Sequence, residues 1–163
     1  MEIISLQNEN FTEIAAVCVD GAKAEFSQKI EKGEKYRMAV ALSDISFGAE
    51  KYNESFLASL REKLKSTEAA LANFVISPFS KNALSSIDDA LELTAAFKHC
   101  ARRIKDCENV AGFEIPHAFS GLERADELAE NFVRELAEKH PNYVFSAKSS
   151  CGIWKNIWCE IFN

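Results

Sequence analysis

The sequence predicts an α/β domain in which a mostly parallel sheet carries helices on both faces, giving three layers. Short apolar runs of strand length alternate with longer segments whose apolar residues recur at helical spacing. A right-handed crossover through each helix makes consecutive strands parallel. A tight turn precedes the last apolar run, so we expect that run to form an antiparallel edge hairpin at the C-terminal end.

Length and composition favour one globular domain. The chain has 163 residues, enough for a single sizeable core, and its 47% hydrophobic and 27% charged residues are an ordinary balance. We divide it into an N-terminal hairpin or helix at 1–34, an alternating strand–helix core at 35–148 and a C-terminal antiparallel strand at 149–163.

The N-terminal part fits two interpretations. Asp20-Gly21 stands between two apolar runs, which is a hairpin signal because both turn residues tolerate positive φ. The stretch 11–30 also fits a helix. We prefer the hairpin, and the helix stays open as the alternative.

From residue 35 onward, strands and helices alternate. Pro78 and Pro116 end the second and third core strands, because proline lacks the N–H that a central strand needs. Ser120 and Glu123 have the spacing of a capping box at the start of the third helix. The predicted elements are strands at Tyr36–Leu42, Asn73–Ser77, Val110–Ile115, Tyr143–Lys148 and Ile153–Phe162, and helices at Glu54–Ser66, Ser86–Asp106 and Ser120–Lys139.

Charge, cysteine content and hydropathy exclude several classes of protein. The formal net charge of −6 disfavours DNA as a partner. Five cysteines without a Cys-x-x-Cys pair argue against a disulfide framework and a common zinc site, so we expect buried reduced thiols. The sequence shows no secretory signal and no apolar run of about 18 residues. We therefore expect a cytoplasmic protein with no membrane partner.

Polar loops that contain serine follow four of the predicted strands. Because the carboxyl ends of parallel strands share one edge, a ligand would bind in the crevice there. The hydroxyl, ammonium and amide groups suit a phosphate- or carboxylate-bearing small molecule. Ordinary turn and helix-cap roles are the alternative. The candidate ligand-binding residues are Ser46, Gly48, Ser77, Ser80, Lys81, Ser146 and Lys148.

Three residues at the same edge are candidates for catalysis. Ser43 follows the first core strand and would act as a nucleophile if a base reaches it. His117 or Asp44 would supply the acid or base. No Gly-x-Gly-x-x-Gly, Walker-type or Gly-x-Ser-x-Gly motif occurs, so we expect no nucleotide cofactor. The three histidines are too far apart in sequence for a helical metal pair, so we expect no metal.

A basic stripe lies near the end of the second predicted helix. It is formed by Lys98, Arg102, Arg103 and Lys105. Positive charge at a helix C-terminus complements the helix dipole, which is one explanation. The other is an anion-binding face for a phosphate or an RNA backbone.

The segment Lys32–Ser43, the loop through Asn53 and the helix to Leu64 resemble the opening of tRNA-dependent cyclodipeptide synthases. In that family a hydrophobic strand ends in Gly-Ile-Ser, and a polar loop and a helix come next. Here Ala41-Leu42-Ser43 stands at that motif. The resemblance implies that Ser43 takes up an aminoacyl group from tRNA and that the basic stripe contacts the tRNA.

The sequence is consistent with two function classes. The first is a small enzyme similar to an acyl or aminoacyl transferase, acting on a small-molecule or aminoacyl substrate. The second is a non-catalytic interaction or regulatory module that forms a homodimer through Trp154 and Trp158, which lie on one face of the last predicted strand.

Overall fold

The computed structural model describes residues 33, 35–138 and 140–147, together with the backbone of four short strands nearer the N-terminus. Two short 3₁₀ turns, Glu68–Ala70 and His117–Gly121, supplement the helices. The strands are β1 (Ile3–Ser5), β2 (Thr12–Ile14), β3 (Val19–Asp20), β4 (Lys23–Ala24), β5 (Lys35–Ala41), β6 (Asn73–Phe79), β7 (Val110–Glu114) and β8 (Val144–Ala147), and the helices are α1 (Leu42–Ile45), α2 (Glu54–Thr67), α3 (Ile87–Arg103) and α4 (Ala125–Ala137).

The main sheet has six parallel strands in the order β1-β8-β7-β6-β5-β2. The predicted α/β class with a parallel sheet is therefore confirmed. A separate two-stranded antiparallel ladder pairs β3 with β4, with Val19 opposite Ala24. This ladder is the arrangement that the hairpin interpretation of residues 1–34 anticipates.

The four strands β5 to β8 are neighbours in the order of the chain. Right-handed crossovers that always step in one direction place their helices on one face of the sheet. The contacts agree, because α3 packs against both α2 and α4. We predicted helices on both faces, and among the described residues the helices α2, α3 and α4 supply one of those two layers.

The predicted antiparallel edge hairpin is not supported at β8. This strand pairs in parallel with β7 on one side and with β1 on the other, so both of its hydrogen-bonding edges are occupied. A strand that comes after a tight turn beyond β8 would need one of those edges. The segment predicted to form it, 149–163, lies outside the described residues.

A phenylalanine-rich core fills the space between the sheet and the helices. Phe113 on β7 meets Phe97 of α3 edge to face, and Phe145 on β8 meets Phe132 of α4 in the same way. All four side chains are fully buried. Rings of this size bury about 150–250 Å² each, so they dominate the hydrophobic stabilisation of the layer.

Two element boundaries differ from the prediction for local reasons. β6 continues through Pro78 to Phe79, because its pairing with β5 extends to that point while its register with β7 ends near Ile76. Proline is tolerated where no neighbour needs its missing N–H. The capping box predicted at Ser120 is wrong: the Ser120 hydroxyl donates to the carbonyl of His117, and α4 begins only at Ala125.

Among the residues that the structure describes, none of the helices has the length and apolar character needed to cross a membrane.

Candidate functional site

The face of the sheet away from α2, α3 and α4 carries a line of polar side chains. Ile76 of β6 is level with Phe113 of β7, so the next residues, Ser77 and Glu114, are neighbours on the other face. Glu114 is in turn the direct partner of Ser146 on β8. Together with Arg37 of β5 these residues form what we call the polar row: Arg37, Ser77, Glu114 and Ser146.

Three hydrogen bonds join the members of the polar row. Arg37 Nε donates to Glu114 Oε2 at 2.6 Å, and Arg37 Nη2 donates to Ser77 Oγ at 2.9 Å. Ser77 Oγ donates to the same Glu114 Oε2 at 2.5 Å. Side chains from β5 and β6 therefore converge on one carboxylate oxygen of β7, which accepts hydrogen bonds from a cation and a hydroxyl.

The alternation of side chains along each strand places these groups. Arg37 stands between Tyr36 and Met38, both of which belong to the helix-side core, so it points to the opposite face. Glu114 comes after Phe113 in the same way on β7. The polar row therefore sits on the reverse of the apolar layer, toward the carboxyl ends of β6, β7 and β8.

Gly112 allows β8 to approach β7 closely enough to complete the polar row. A Cβ at this position would lie 1.7 Å from the carbonyl oxygen of Val144. This oxygen belongs to the backbone, so no side-chain rotation can relieve the clash. Gly112 and Val144 are register partners two residues before Glu114 and Ser146. The glycine thus supports the placement of Ser146 beside Glu114.

Two atoms of the polar row are buried and unpartnered. Ser77, Glu114 and Ser146 are exposed by only 4%, 2% and 1%, yet neither Glu114 Oε1 nor Ser146 Oγ has a hydrogen-bond partner in the described structure. Buried polar groups are rarely left in this state, since each costs about 1–3 kcal/mol and more when charged.

Three other buried atoms are also unpartnered among the described residues: Asn109 Oδ1, His140 Nε2 and Tyr143 Oη. They lie near the start of β7 and β8, at the opposite end of the sheet from the polar row. None of them belongs to a carboxylate, so leaving them unsatisfied costs less than leaving the Glu114 oxygen unsatisfied.

Of the residues predicted to bind a ligand, the structure brings Ser77 and Ser146 together around Glu114. Both lie within strands: β6 continues two residues past Ser77, and Ser146 lies inside β8, which is one residue shorter at each end than the predicted Tyr143–Lys148. Lys148 lies outside the described residues.

The first strand exit forms a separate rim. Ser43 is exposed on α1, and its side chain makes no hydrogen bond with another described residue. Burial raises the pKa of Asp44 above its ordinary value, an effect that the nearby Lys81 ammonium opposes. The loops after β5 and β6 therefore meet at this rim, as the sequence predicted.

The remaining predicted residues of this edge lie apart from the polar row. Ser46 Oγ accepts a hydrogen bond from the backbone N–H of Gly48, whose φ of 89° suits glycine. Ser80 is half-buried just beyond β6. His117 is exposed in the 3₁₀ turn after β7, and no hydrogen bond joins it to Ser43.

The basic stripe on α3 is partly neutralised by acidic neighbours. Lys98 contacts Glu135 at 2.5 Å and Glu138 at 3.3 Å, and Arg103 contacts Glu54 at 2.7 Å. Ion pairs at or near the surface are worth little in stability. The other two members, Arg102 and Lys105, line an open groove of about 570 Å³ between α2 and α3.

Sequence reasoning did not single out Arg37 or Glu114. Both stand in otherwise apolar strands, and each was absorbed into a strand as an ordinary residue. The signal that identifies them is their position: a charged residue within a buried strand requires a partner, and here Arg37 and Glu114 form an ion pair with each other.

The described cysteines behave as buried thiols. Burial raises the pKa of Cys100 to about 12 and that of Cys107 to about 11, which keeps both protonated at neutral pH. Within the part of the chain that the structure describes, no group of three or more His, Cys, Asp or Glu side chains has the arrangement of a metal site.

No protein-family model matches this chain, and comparison with curated proteins finds no significant match. A function for the protein is therefore inferred from the geometry of the polar row and of the rim formed by the loops after β5 and β6.

Proposed function

We propose that this protein binds a small polar ligand at the carboxyl edge of β5 to β8, with the polar row as the floor of the site and a phosphate or carboxylate of the ligand at the rim. One observation carries the proposal: four adjacent strands direct a buried carboxylate, an arginine and two hydroxyls to one place, and leave two of the oxygens unpartnered.

Stability alone does not account for such an arrangement. A buried ion pair loses solvation when it forms, and replacing it with packed apolar side chains is often neutral or stabilising. The other face of these same strands is packed with apolar side chains throughout. Convergence of polar side chains from the ends of several parallel strands is instead characteristic of ligand and catalytic sites in α/β proteins.

The charges of the site favour one orientation of the ligand. A bare anion pressed against Glu114 would meet a negative oxygen, whereas Lys81 offers an exposed ammonium at the rim. Ser80 adds a hydroxyl next to it. We therefore assign the anionic group to the rim and the rest of the ligand to the polar row.

Native mass spectrometry of the full chain as purified from cells tests this proposal. We expect a bound mass that is released on denaturation, or, failing that, a rise in melting temperature with at least one anionic metabolite from a broad panel. Lys81→Ala should weaken that binding, and Lys63→Ala, which removes an exposed lysine from α2, should not. A chain that carries no ligand and responds to no anionic metabolite would refute the proposal.

Several finer expectations stay predictions. Acyl or aminoacyl transfer by Ser43, the kinship with cyclodipeptide synthases, tRNA contact along the basic stripe, a cytoplasmic location and a homodimer all rest on the sequence alone. A loss of turnover in Ser43→Ala with an unchanged melting temperature would support the transfer activity.

A further inference from the structure

We infer that the ligand presents a hydroxyl group to Glu114 Oε1 and Ser146 Oγ, so that the ligand class is a hydroxylated metabolite such as a sugar, a polyol or a hydroxy acid. This inference rests on the proposed function and names the chemistry of its deepest contact.

The hydrogen-bonding capacity of the two orphaned atoms supports this class. Glu114 Oε2 is occupied by Arg37 and Ser77, which leaves Oε1 as an acceptor without a donor. Ser146 Oγ carries a proton that has no acceptor and lone pairs that have no donor. A ligand hydroxyl donates to the carboxylate and accepts from the serine, so it satisfies both atoms together.

Other ligand groups satisfy the pair less completely. An ammonium has donors for both atoms but no acceptor, so the Ser146 proton remains without a partner. A phosphate or carboxylate accepts from Ser146 and repels Glu114. A single buried water has the same capacity as a hydroxyl and is the competing occupant.

The register of the sheet makes one bridging oxygen feasible. Glu114 and Ser146 are direct partners on parallel strands, which lie about 4.8 Å apart. Hydrogen bonds between oxygens are about 2.7 Å long, so a single oxygen fits within reach of both side chains. Ser77 is on the far side of Glu114 and already uses its hydroxyl, so it does not compete for this place.

A thermal-shift and titration panel of matched compounds tests the inference. Each hydroxylated probe, drawn from sugar phosphates, polyol phosphates and hydroxy acids, is paired with its deoxy and amino analogues. We expect at least one hydroxylated probe to bind the wild-type chain about ten-fold or more tightly than its deoxy analogue, the effect of losing a hydrogen bond to a charged group.

Ser146→Ala should remove most of that preference. Thr94→Val serves as the matched control, since it deletes a buried hydroxyl whose only described partner is the backbone carbonyl of Ala90. Melting curves of both variants establish that each is folded. Glu114→Gln keeps the shape of the side chain and should weaken the hydroxylated probe as well.

The outcomes separate this inference from the proposed function. If probes bind through Lys81 but deoxy and hydroxylated members bind equally, the proposed function stands and the inference is refuted. The same conclusion applies if Ser146→Ala leaves the preference unchanged, or if amino analogues bind best. If no member of the panel binds, both are refuted.

Discussion

The two faces of the strands β5 to β8 differ sharply in composition, although the same backbone builds both. The helix side is apolar, with Phe74, Phe113 and Phe145 fully buried in one cluster. The other side carries the polar row, of which Ser77, Glu114 and Ser146 are almost as inaccessible. Burial is therefore similar on the two faces, while the chemistry that is buried differs. We interpret the first face as the source of stability and the second as the source of function.

Removal of an aromatic ring from the apolar face should cause the largest loss of stability. We expect Phe113→Ala to lower the free energy of unfolding by about 4 kcal/mol, because it leaves a cavity among Phe97, Tyr143 and their neighbours. Chemical denaturation measures the change. Phe47→Ala, which removes a ring that is 69% exposed, is the control and should change stability little. Equal effects of the two variants would contradict the assignment of the core.

Removal of the Glu114 carboxylate from the polar face should cause the next largest loss of stability. Replacing both members of the ion pair with apolar residues should restore most of that loss. Glu114→Ala removes the carboxylate that Arg37 Nε contacts and should cost about 3 kcal/mol. Arg37→Met combined with Glu114→Leu should recover most of that loss, since an apolar pair needs no solvation. Denaturation of the single and double variants measures both. A double variant no more stable than Glu114→Ala would show that the pair is a structural requirement.

Removal of the Ser146 hydroxyl should change stability slightly and in the opposite direction, as a gain. Ser146→Ala removes an unpartnered buried polar group, so we expect the ligand-free protein to gain up to about 1 kcal/mol. The comparison with Thr94→Val, which breaks a satisfied hydrogen bond, isolates the cause. Destabilisation by Ser146→Ala that exceeds that of the control would indicate that Ser146 has a structural partner.

The smallest expected effect on stability is a pH dependence that comes from His140. Burial, together with the nearby Lys105 and Arg102, lowers the pKa of His140, whose ring stacks on Tyr143. The His140 ring therefore binds a proton more readily in the unfolded chain than in the folded chain. The stability contributed by neutral His140 should thus be complete above about pH 6.5 and decline as the pH falls below it. Unfolding at two pH values, about one unit above and one unit below that point, in wild type and His140→Gln measures this. An unchanged pH dependence in the variant would contradict it.

The sequence predicts the apolar face far better than the polar one. Short apolar runs and helical spacing identify β5, β6, β7, α2 and α3 with boundaries close to those observed, because each depends on residues near one another in the chain. Strand direction is predictable as well, since a helix between two strands makes them parallel.

The polar row could not be predicted from the sequence, because it depends on contacts between residues that are far apart in the chain. The sequence predicts Ser77 and Ser146 as ligand-binding residues because each lies near the carboxyl end of a strand. The pairing of Arg37 with Glu114, in contrast, joins residues 77 positions apart and depends on the register of the strands. Register is set by the packing of whole strands, including the close approach at Gly112. The position of β1 beside β8, which leaves the predicted hairpin without support there, is likewise a long-range result.

A high-resolution crystal structure of the purified, unmodified chain is the most direct test of the central claim, that the polar row holds part of a ligand. We predict electron density for a small molecule with an oxygen between Glu114 Oε1 and Ser146 Oγ, continuing toward Lys81. A direct hydrogen bond between those two side chains, or one isolated water bridging them, would contradict it.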